Sequence, residues 1–313
     1  MSLINGHPLA GVNAKMKSRH SNDRREVRVE MTEARQFGLS DEELAAYQPV
    51  FRSDLFVGQR VLVTGGGSGL GKATAWLFGR LGAEIIIAGR KPERLDAAAT
   101  PMRAAGLKVQ TRALNIRDRD SIDSLFAGAK GGSGLPTILI NNAGGQFPQA
   151  AIDYSAKGWN AVIDTNLNGT WAMMQVAAQC WRDAGIPGSI VNIVTVVDRG
   201  MPGVAHTCAA RAGVIGLTRS VAVEWIPYGI RVNCVAPGAI MTEGHVVYSD
   251  EARESYKRSN PMMRFGDAFD VAEACAYLAG PSGKFITGET LTVDGGGRLW
   301  GEFWAIPKPD YFK

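Results

Sequence analysis

Short apolar runs alternate with longer amphipathic stretches from about residue 57 to the end of the chain. Short runs of this kind, bounded by Gly, Pro or polar residues, are typical of strands that are buried on both faces. We predict strands at residues 61–63, 84–88, 109–114, 137–140, 189–194, 230–235 and 290–293. Apolar residues three and four apart predict helices at residues 72–81, 92–105, 118–129, 159–183, 206–225 and 267–278. The alternation predicts an α/β fold with one doubly wound parallel sheet and helices on both faces.

The first 56 residues lack this alternation, are polar and carry charges of both signs. Ser40 followed by Glu43 forms a capping-box pattern ahead of Leu44, which predicts a short helix. We predict that residues 1–56 are an N-terminal extension and that residues 57–313 form the main domain. The extension either wraps the body or a neighbouring subunit, or it is a disordered tail, and the sequence leaves both open.

Composition argues against several classes of protein. The chain has 313 residues and a net charge of +4 that is spread along it, so nucleic-acid or membrane binding is not expected. Its four cysteines have no C-x-x-C spacing, which argues against a zinc site and fits a reducing compartment. We see no stretch of signal-peptide or membrane-spanning type, and the last three residues are not a peroxisomal address. We therefore predict a cytoplasmic protein without a metal.

A glycine-rich loop at residues 64–71, Thr-Gly-Gly-Gly-Ser-Gly-Leu-Gly, joins the first predicted strand to a helix. In this setting, backbone amides and a helix N-terminus bind the pyrophosphate of a dinucleotide. The spacing T-G-x-x-x-G-x-G differs from the common G-x-G-x-x-G, and a flexible turn is the alternative. The loop predicts cofactor contacts at Gly65, Ser68, Gly69, Leu70 and Gly71.

The loops at the carboxyl ends of the other strands carry further candidates, because ligands of doubly wound sheets bind there. After the second strand, an acidic residue would hold the ribose hydroxyls of NAD. Arg90 and Lys91 stand there instead, which favours the 2′-phosphate of NADP over the alternative of ordinary solvated charges. After the third strand, Asn115 and Ile116 either flank the adenine or simply end the strand.

Four further motifs complete a pattern. They are Asn-Asn-Ala-Gly at 141–144, Asn-Leu-Asn-Gly-Thr at 166–170, Pro-Gly at 237–238 and Val-Asp-Gly-Gly at 293–296. With the glycine loop, they make the chain resemble the short-chain dehydrogenase/reductase family over residues 58–297. The resemblance implies a Rossmann-type fold, a nicotinamide cofactor, hydride transfer to a small-molecule substrate and a homotetramer. It adds cofactor contacts at Asn142, Ala143, Gly144, Pro237, Gly238 and Ile240.

The chain departs from that family at the active site. The family carries a tyrosine and, four residues later, a lysine on the helix after the fifth strand; the lysine holds the nicotinamide ribose and the tyrosine exchanges a proton with the substrate. The flank Ala-Arg-Ala-Gly at 210–213 puts Arg211 in the place of the lysine and Thr207 in that of the tyrosine. Thr195 takes the place of the family's serine. Arg211 is expected to anchor the ribose without relaying a proton, and a threonine hydroxyl is a far weaker acid than tyrosine.

Without the tyrosine as an acid, reduction of a conjugated C=C bond is favoured over reduction of a carbonyl group. Carbonyl reduction needs a proton on oxygen, whereas reduction of a C=C bond conjugated to a thioester needs hydrogen-bond donors for an enolate. Candidate catalytic residues are Asn166, Thr195, Thr207, Arg211 and His206. The stretches 142–147, 155–159 and 206–213 also look like enoyl-CoA reductases of peroxisomal type, which implies NADPH and acyl-CoA substrates. A tyrosine used further along this helix in some relatives is Ile215 here, so no tyrosine role carries over.

Two other readings stay open at this point. A carbonyl or hydroxyl dehydrogenase could use His206 or water as its acid, although His206 could equally begin a helix without any chemistry. In the second alternative, the chain is a subunit that binds a dinucleotide without catalysing a reaction.

Met262, Met263 and Phe265 form either a mobile lid for an acyl chain or ordinary core.

Overall fold

The computed structural model describes residues 38–127, 134–244, 249–301 and 304–312. Most of the predicted N-terminal extension, residues 1–37, lies outside these ranges. So do the last two residues of the helix predicted at 118–129.

Seven parallel strands form one sheet in the order β3-β2-β1-β4-β5-β6-β7. The strands are β1 (Arg60–Thr64), β2 (Glu84–Gly89), β3 (Val109–Ala113), β4 (Ile138–Asn141), β5 (Gly188–Ile193), β6 (Ile230–Pro237) and β7 (Thr290–Val293). In this order β1 lies between β2 and β4, and Val61 pairs with Ile85 on one side and Ile138 on the other. The order reverses between β1 and β4, which is where such sheets bind dinucleotides. The predicted doubly wound parallel sheet is confirmed.

Helices cover both faces of the sheet. They are α1 (Asp41–Ala46), α2 (Gly69–Arg80), α3 (Pro92–Ala104), α4 (Arg119–Ala127), α5 (Ala156–Ile163), α6 (Gly169–Ala184), α7 (Ala205–Glu224), α8 (Asp250–Lys257) and α9 (Ala268–Ala279). Val61 and Val63 pack with α2 and α9 on one face, while Leu62 packs with α4 and α6 on the other. All three side chains are fully buried, which explains the unbroken apolar run of β1. In the described part of the chain, we find no helix that is both long and apolar enough to cross a membrane.

Two elements differ from the sequence prediction. The helix predicted at 159–183 starts earlier, at Ala156, because the Ser155 hydroxyl caps it by accepting from the Gly158 N–H at 3.0 Å. It also contains a π-helical turn, Asp164–Asn168, between α5 and α6, a feature that apolar spacing does not encode. Helix α8 was not predicted, because its sequence, DEARESYK, has almost no apolar residues to show a period.

The described part of the extension, residues 38–56, packs on the main domain. Its short helix α1 has the predicted capping box, with the Ser40 hydroxyl accepting from the Glu43 N–H and the Glu43 carboxylate accepting from the Ser40 N–H. Next to it, the Tyr47 ring stacks on Phe269 of α9 with centroids 3.6 Å apart, and its hydroxyl donates to Glu273 at 3.0 Å. Burial and the Glu273 carboxylate raise the pKa of Tyr47 to about 12, so this hydroxyl stays a donor.

Candidate active site

A cavity of about 1060 Å³ opens at the carboxyl edge of the sheet. Its wall is built by the loops that follow β1, β2, β3, β4, β5 and β6, together with residues from α7, α8 and the segment after β7. These are the loops that the sequence singled out, and the parallel sheet brings them to one edge because every strand ends there. The volume is large enough for a dinucleotide and a second molecule beside it.

The glycine loop forms the floor of one end of this cavity. Gly65 and Gly69 have φ of +67° and +51°, a backbone conformation that L side chains rarely adopt. Ser68 precedes α2 without capping it by a side-chain hydrogen bond, so the first amides of the helix remain available to an anion. Gly71 lies off the cavity wall: a Cβ there would collide with Asn142 and the Gly65 carbonyl. The loop fits the pyrophosphate of a dinucleotide.

Hydrogen bonds fasten the loop after β4 to the glycine loop. The Asn142 side-chain amide donates to the carbonyl oxygens of Thr64 and Gly65 at 3.0 and 3.3 Å. The Thr64 hydroxyl in turn accepts from the N–H groups of Asn142 and Ala143, both at 3.0 Å. Two strands that are neighbours in the sheet thus carry loops held at a fixed separation, which preorganises the cofactor side of the cavity.

Cations line the part of the cavity next to β2 and β3. Arg90, Lys91, Arg94 and Arg117 are all on its wall, with Asn115 and Ile116 between them. Arg94 is paired with Glu243 at 3.0 Å. Pro237, Gly238 and Ile240 line the cavity from the loop after β6. The predicted cofactor residues are therefore gathered at one cavity, apart from Gly71.

Asn166 lies in the π-helical turn, where its side chain is buried. Its amide oxygen accepts from the Gly145 N–H at 3.0 Å, and its amide nitrogen donates to the Gly145 carbonyl at 2.9 Å. Both polar groups of the side chain are thus bonded to one backbone unit of the loop after β4. This arrangement makes Asn166 a positioning residue for that loop.

Three more predicted catalytic residues line the cavity together with Asn166. Thr195 lies just after β5, and Thr207 and Arg211 lie one helical turn apart on α7, so both project from the same face of that helix. Arg211 is 7% exposed, and its Nη1 has no hydrogen-bond partner among the described residues. Burial lowers the pKa of Arg211 to about 10, so the guanidinium stays charged at neutral pH. A Cβ at Gly144 would collide with its Nη2 and with the Asn166 amide oxygen, so glycine lets the guanidinium lie close to this backbone.

His206 lies behind Thr207 and off the cavity wall, with 0% of its surface exposed. Its Nδ1 accepts from the Thr207 backbone N–H at 2.7 Å and lies 3.3 Å from the Thr207 hydroxyl oxygen. Tyr154 stacks on the imidazole and Phe147 meets it edge-on, each with centroids 4.6 Å apart. Burial lowers the pKa of His206, an effect that the backbone carbonyls of Val204 and Phe147 oppose.

The sequence did not single out several polar wall residues, among them Arg199, Tyr256 and Arg298. The Arg199 guanidinium donates to the carbonyl oxygens of Trp300 and Ser259 at 3.2 and 3.1 Å, which ties the loop after β5 to two later segments. Burial raises the pKa of Tyr256, so its hydroxyl is protonated at neutral pH. No periodic pattern marks these positions, because they come together only when the sheet is assembled.

The three residues of the candidate lid do not line the cavity. From the segment after β6, Tyr256 and Ser259 form cavity wall, whereas Met262, Met263 and Phe265 lie off it, and Met262 is 58% exposed.

Among the described residues, we find no group of three or more His, Cys, Asp or Glu side chains able to hold a metal ion. All four cysteines are free thiols.

Comparisons with known proteins agree with this geometry. A family model described as Enoyl-(Acyl carrier protein) reductase matches residues 65–297. A probable 2,4-dienoyl-CoA reductase of Bacillus subtilis is 36% identical over 241 residues, covering 75% of this chain and 95% of that protein. A 3-oxoacyl-acyl-carrier-protein reductase of Thermotoga maritima is 35% identical over 240 residues, covering 76% of this chain and 97% of that protein. A solved structure titled citronellol catabolism dehydrogenase, from Pseudomonas aeruginosa, has a TM-score of 0.72 and 38% identity, covering 80% of this chain and all of that one.

Proposed function

Because the chain belongs to the short-chain dehydrogenase/reductase family of oxidoreductases, we propose that it reduces the C=C bond of an enoyl thioester with NADPH. The observation that carries this proposal is the identity of the α7 side chains on the cavity wall. They are a threonine, Thr207, and a fully charged arginine, Arg211, at the places that the family resemblance gives to tyrosine and lysine. The Thr207 hydroxyl is far too weak an acid to protonate a carbonyl oxygen, and Arg211 stays charged at neutral pH.

The chemistry that tolerates this pair is conjugate reduction. When bound, a reduced nicotinamide supplies the hydride, which adds to the β-carbon while the C=C electron pair moves onto the thioester oxygen. Re-formation of the carbonyl then lets the α-carbon take a proton from water, which balances the reaction. The protein has to stabilise a developing oxyanion, and preorganised donors in a water-poor site do this well. Thr195 and Arg211 are on the wall to do so, and Asn166 holds the adjacent Gly145 loop in place.

Thr207 is less suited than Thr195 to donate a hydrogen bond to the substrate. Because Nδ1 of His206 accepts the Thr207 backbone N–H, that nitrogen carries a lone pair and not a proton. In the 3.3 Å contact between the same nitrogen and the Thr207 hydroxyl, the hydroxyl is therefore the donor. Turned this way, the oxygen offers lone pairs to the cavity and can accept from a ribose hydroxyl. Thr195 lies on the wall after β5, away from the His206 ring nitrogen that takes the Thr207 proton. We assign the substrate-facing donor role to Thr195 before Thr207.

NADP is the proposed cofactor because of the charges at the end of β2. The turn after Gly89 carries Arg90 and Lys91 on the cavity wall, and Arg94 and Arg117 add to the positive potential there. A 2′-phosphate is bound well by such a group of cations, whereas the free 2′-hydroxyl of NAD pairs with an acidic residue at this place. Protein fluorescence quenching with NADPH and NADH would test this preference directly.

The thioester part of the proposal is supported by the names of two matches, the family model's enoyl reductase and the dienoyl-CoA reductase of Bacillus subtilis. The test is NADPH oxidation, followed by absorbance, with enoyl-CoA thioesters of increasing chain length and with the matching 3-ketoacyl thioesters. We expect turnover of the enoyl series and little of the ketone series. Turnover confined to the ketones would contradict the proposal, and tight NADPH binding without any turnover would favour a non-catalytic subunit.

One observation supports a second candidate, carbonyl reduction. Tyr256 of α8 is on the cavity wall, and burial keeps its hydroxyl protonated, so the wall carries a phenol. A 3-oxoacyl reductase is also among the relatives, at 35% identity. In this case Tyr256→Phe would abolish ketone turnover by roughly 10²–10⁴-fold, the usual contribution of a general acid. If enoyl reduction is the reaction, the same variant retains most of its activity.

A further inference from the structure

Arg211 is a buried cation that no carboxylate of the described residues pairs with. It makes no ion pair with a carboxylate in the described part of the chain, and its Nη1 has no hydrogen-bond partner there. Burying a charge without a counter-charge is costly, so such a group is retained where a ligand supplies what the protein lacks. Because Arg211 lines the cavity, that ligand is in the cavity.

Among the described residues, the titratable group that influences Arg211 is the Cys234 thiol of β6. Burial raises the pKa of Cys234 to about 11, and its sulfur lies 3.2 Å from the Thr218 hydroxyl. The thiol is therefore uncharged at neutral pH and does not compensate the guanidinium. On the other side of Arg211 lies the backbone of Gly144, where no side chain fits.

The cofactor does not supply a negative charge at this place either. Its phosphates belong at the glycine loop and at the cations after β2, whereas the sugar next to the nicotinamide offers only neutral hydroxyls. Ribose hydroxyls can occupy N–H donors of the guanidinium but leave its charge unbalanced. A guanidinium has five donors in a planar fork, enough to contact a sugar and a second group together.

We propose that Arg211 is a catalytic residue whose guanidinium binds the oxyanion that develops on the substrate's reacting carbonyl, with the Thr195 hydroxyl as its partner donor. This rests on the proposed function, because the oxyanion is the enolate oxygen formed when hydride adds to an enoyl thioester. Only the charge-separated state carries a full negative charge on that oxygen, so Arg211 binds it more tightly than the substrate and lowers the barrier. The guanidinium keeps its charge throughout, so it stabilises without transferring a proton.

The test uses acetoacetyl-CoA together with oxidised NADP, a pair that cannot react by hydride transfer to the ketone. Its enolate absorbs in the near ultraviolet, so an oxyanion site reveals itself by raising the enolate fraction of the bound thioester. We expect this band with the wild-type protein and its loss with Arg211→Met. Arg219→Met is the matched control, because Arg219 is an exposed arginine on the same helix. Arg211→Lys keeps a cation and should keep part of the band.

Kinetics give a second readout on the same variants. Single-turnover hydride transfer from bound NADPH to an enoyl-CoA should fall roughly 10²–10³-fold in Arg211→Met, as when an oxyanion donor is removed. The Kd for NADPH should change much less. A melting curve checks folding; replacing a buried charge with an apolar side chain of similar length is often neutral for stability, and Arg211→Lys provides a second variant if it is not.

The outcomes separate this inference from the proposed function. If the wild type reduces enoyl-CoA but shows no enolate band, or Arg211→Met keeps the band, the inference is wrong and the function stands. A weaker NADPH Kd with an unchanged hydride-transfer rate would also overturn it, because Arg211 would then be a ribose anchor alone. An Arg211-dependent enolate band without any enoyl reduction would support the oxyanion site and refute the proposed reaction.

Discussion

The backbone N–H of Thr207 donates to Nδ1 of His206 over 2.7 Å, and this bond decides what the histidine can do. It leaves Nδ1 unprotonated, while Tyr154 and Phe147 close the ring off from the cavity. A histidine so placed fixes the first turn of α7 and with it the Thr207 hydroxyl. This placement suits a positioning residue and argues against the alternative in which the imidazole itself protonates the substrate.

A pH prediction follows from the burial of His206. Burial lowers the pKa of the folded-state imidazole below the value of about 6.5 that it has in an unfolded chain. Below pH 6.5 the unfolded state therefore binds the extra proton, and the folded state loses stability as the pH falls from 6.5 toward the folded-state pKa. We expect urea denaturation between pH 7.5 and 5 to show a shallower fall for His206→Asn than for the wild type. If the wild type and His206→Asn lost stability equally as the pH falls, His206 would not be a neutral, buried imidazole.

Asn166 offers a prediction about loop positioning. Asn166→Ala removes two hydrogen bonds to Gly145, which should cost about 1–3 kcal/mol in the free energy of unfolding and weaken NADPH binding as the loop after β4 relaxes. Urea denaturation and fluorescence titration measure the two effects. Asn168→Ala is the control, because Asn168 is exposed and its side-chain amide donates to Asp164 of the same turn, away from Gly145. Equal effects of the two substitutions would argue against a positioning role.

The cofactor proposal predicts a change of preference. The double variant Arg90→Ala, Lys91→Ala should raise the Kd for NADPH by roughly 10–100-fold and leave the Kd for NADH unchanged, because hydrogen bonds to charged groups contribute about 1.5–3 kcal/mol. Arg112→Ala is the control: this exposed arginine lies on β3 and bonds to Thr111 and Gln110, away from the cavity wall. An equal loss for both cofactors would mean that the two cations do not bind a 2′-phosphate.

The segment after β7 should influence the substrate and not the cofactor. The Trp300 indole N–H donates to the Arg258 carbonyl at 3.1 Å, and the Trp300 carbonyl accepts from Arg199. Its ring also packs on Phe312 with centroids 4.8 Å apart. Trp300→Ala should raise the KM for thioester several-fold with little effect on the Kd for NADPH, because it loosens the wall that holds Arg199. Phe285→Ala, at a fully exposed ring, is the control. If Trp300→Ala changed the Kd for NADPH more than the KM for thioester, this segment would contact the cofactor side of the cavity and the prediction would be wrong.

The sequence by itself determined the sheet, its approximate strands and most of the cofactor side of the cavity. Apolar runs report burial on both faces, and glycines at Gly65 and Gly69 report a backbone that side chains would forbid, so both are local properties of the chain. The tertiary structure alone decided which side chains face the cavity. His206 and Thr207 are adjacent in sequence, yet His206 is buried against Tyr154 and Thr207 is on the wall. Arg199, in the loop after β5, and Tyr256, on α8, reach that wall from places far apart in the chain. The physical reason is that neighbouring residues decide whether a segment is a helix or a strand. The residues of a cavity wall are decided by the order of the strands in the sheet, which brings the loops at their ends together.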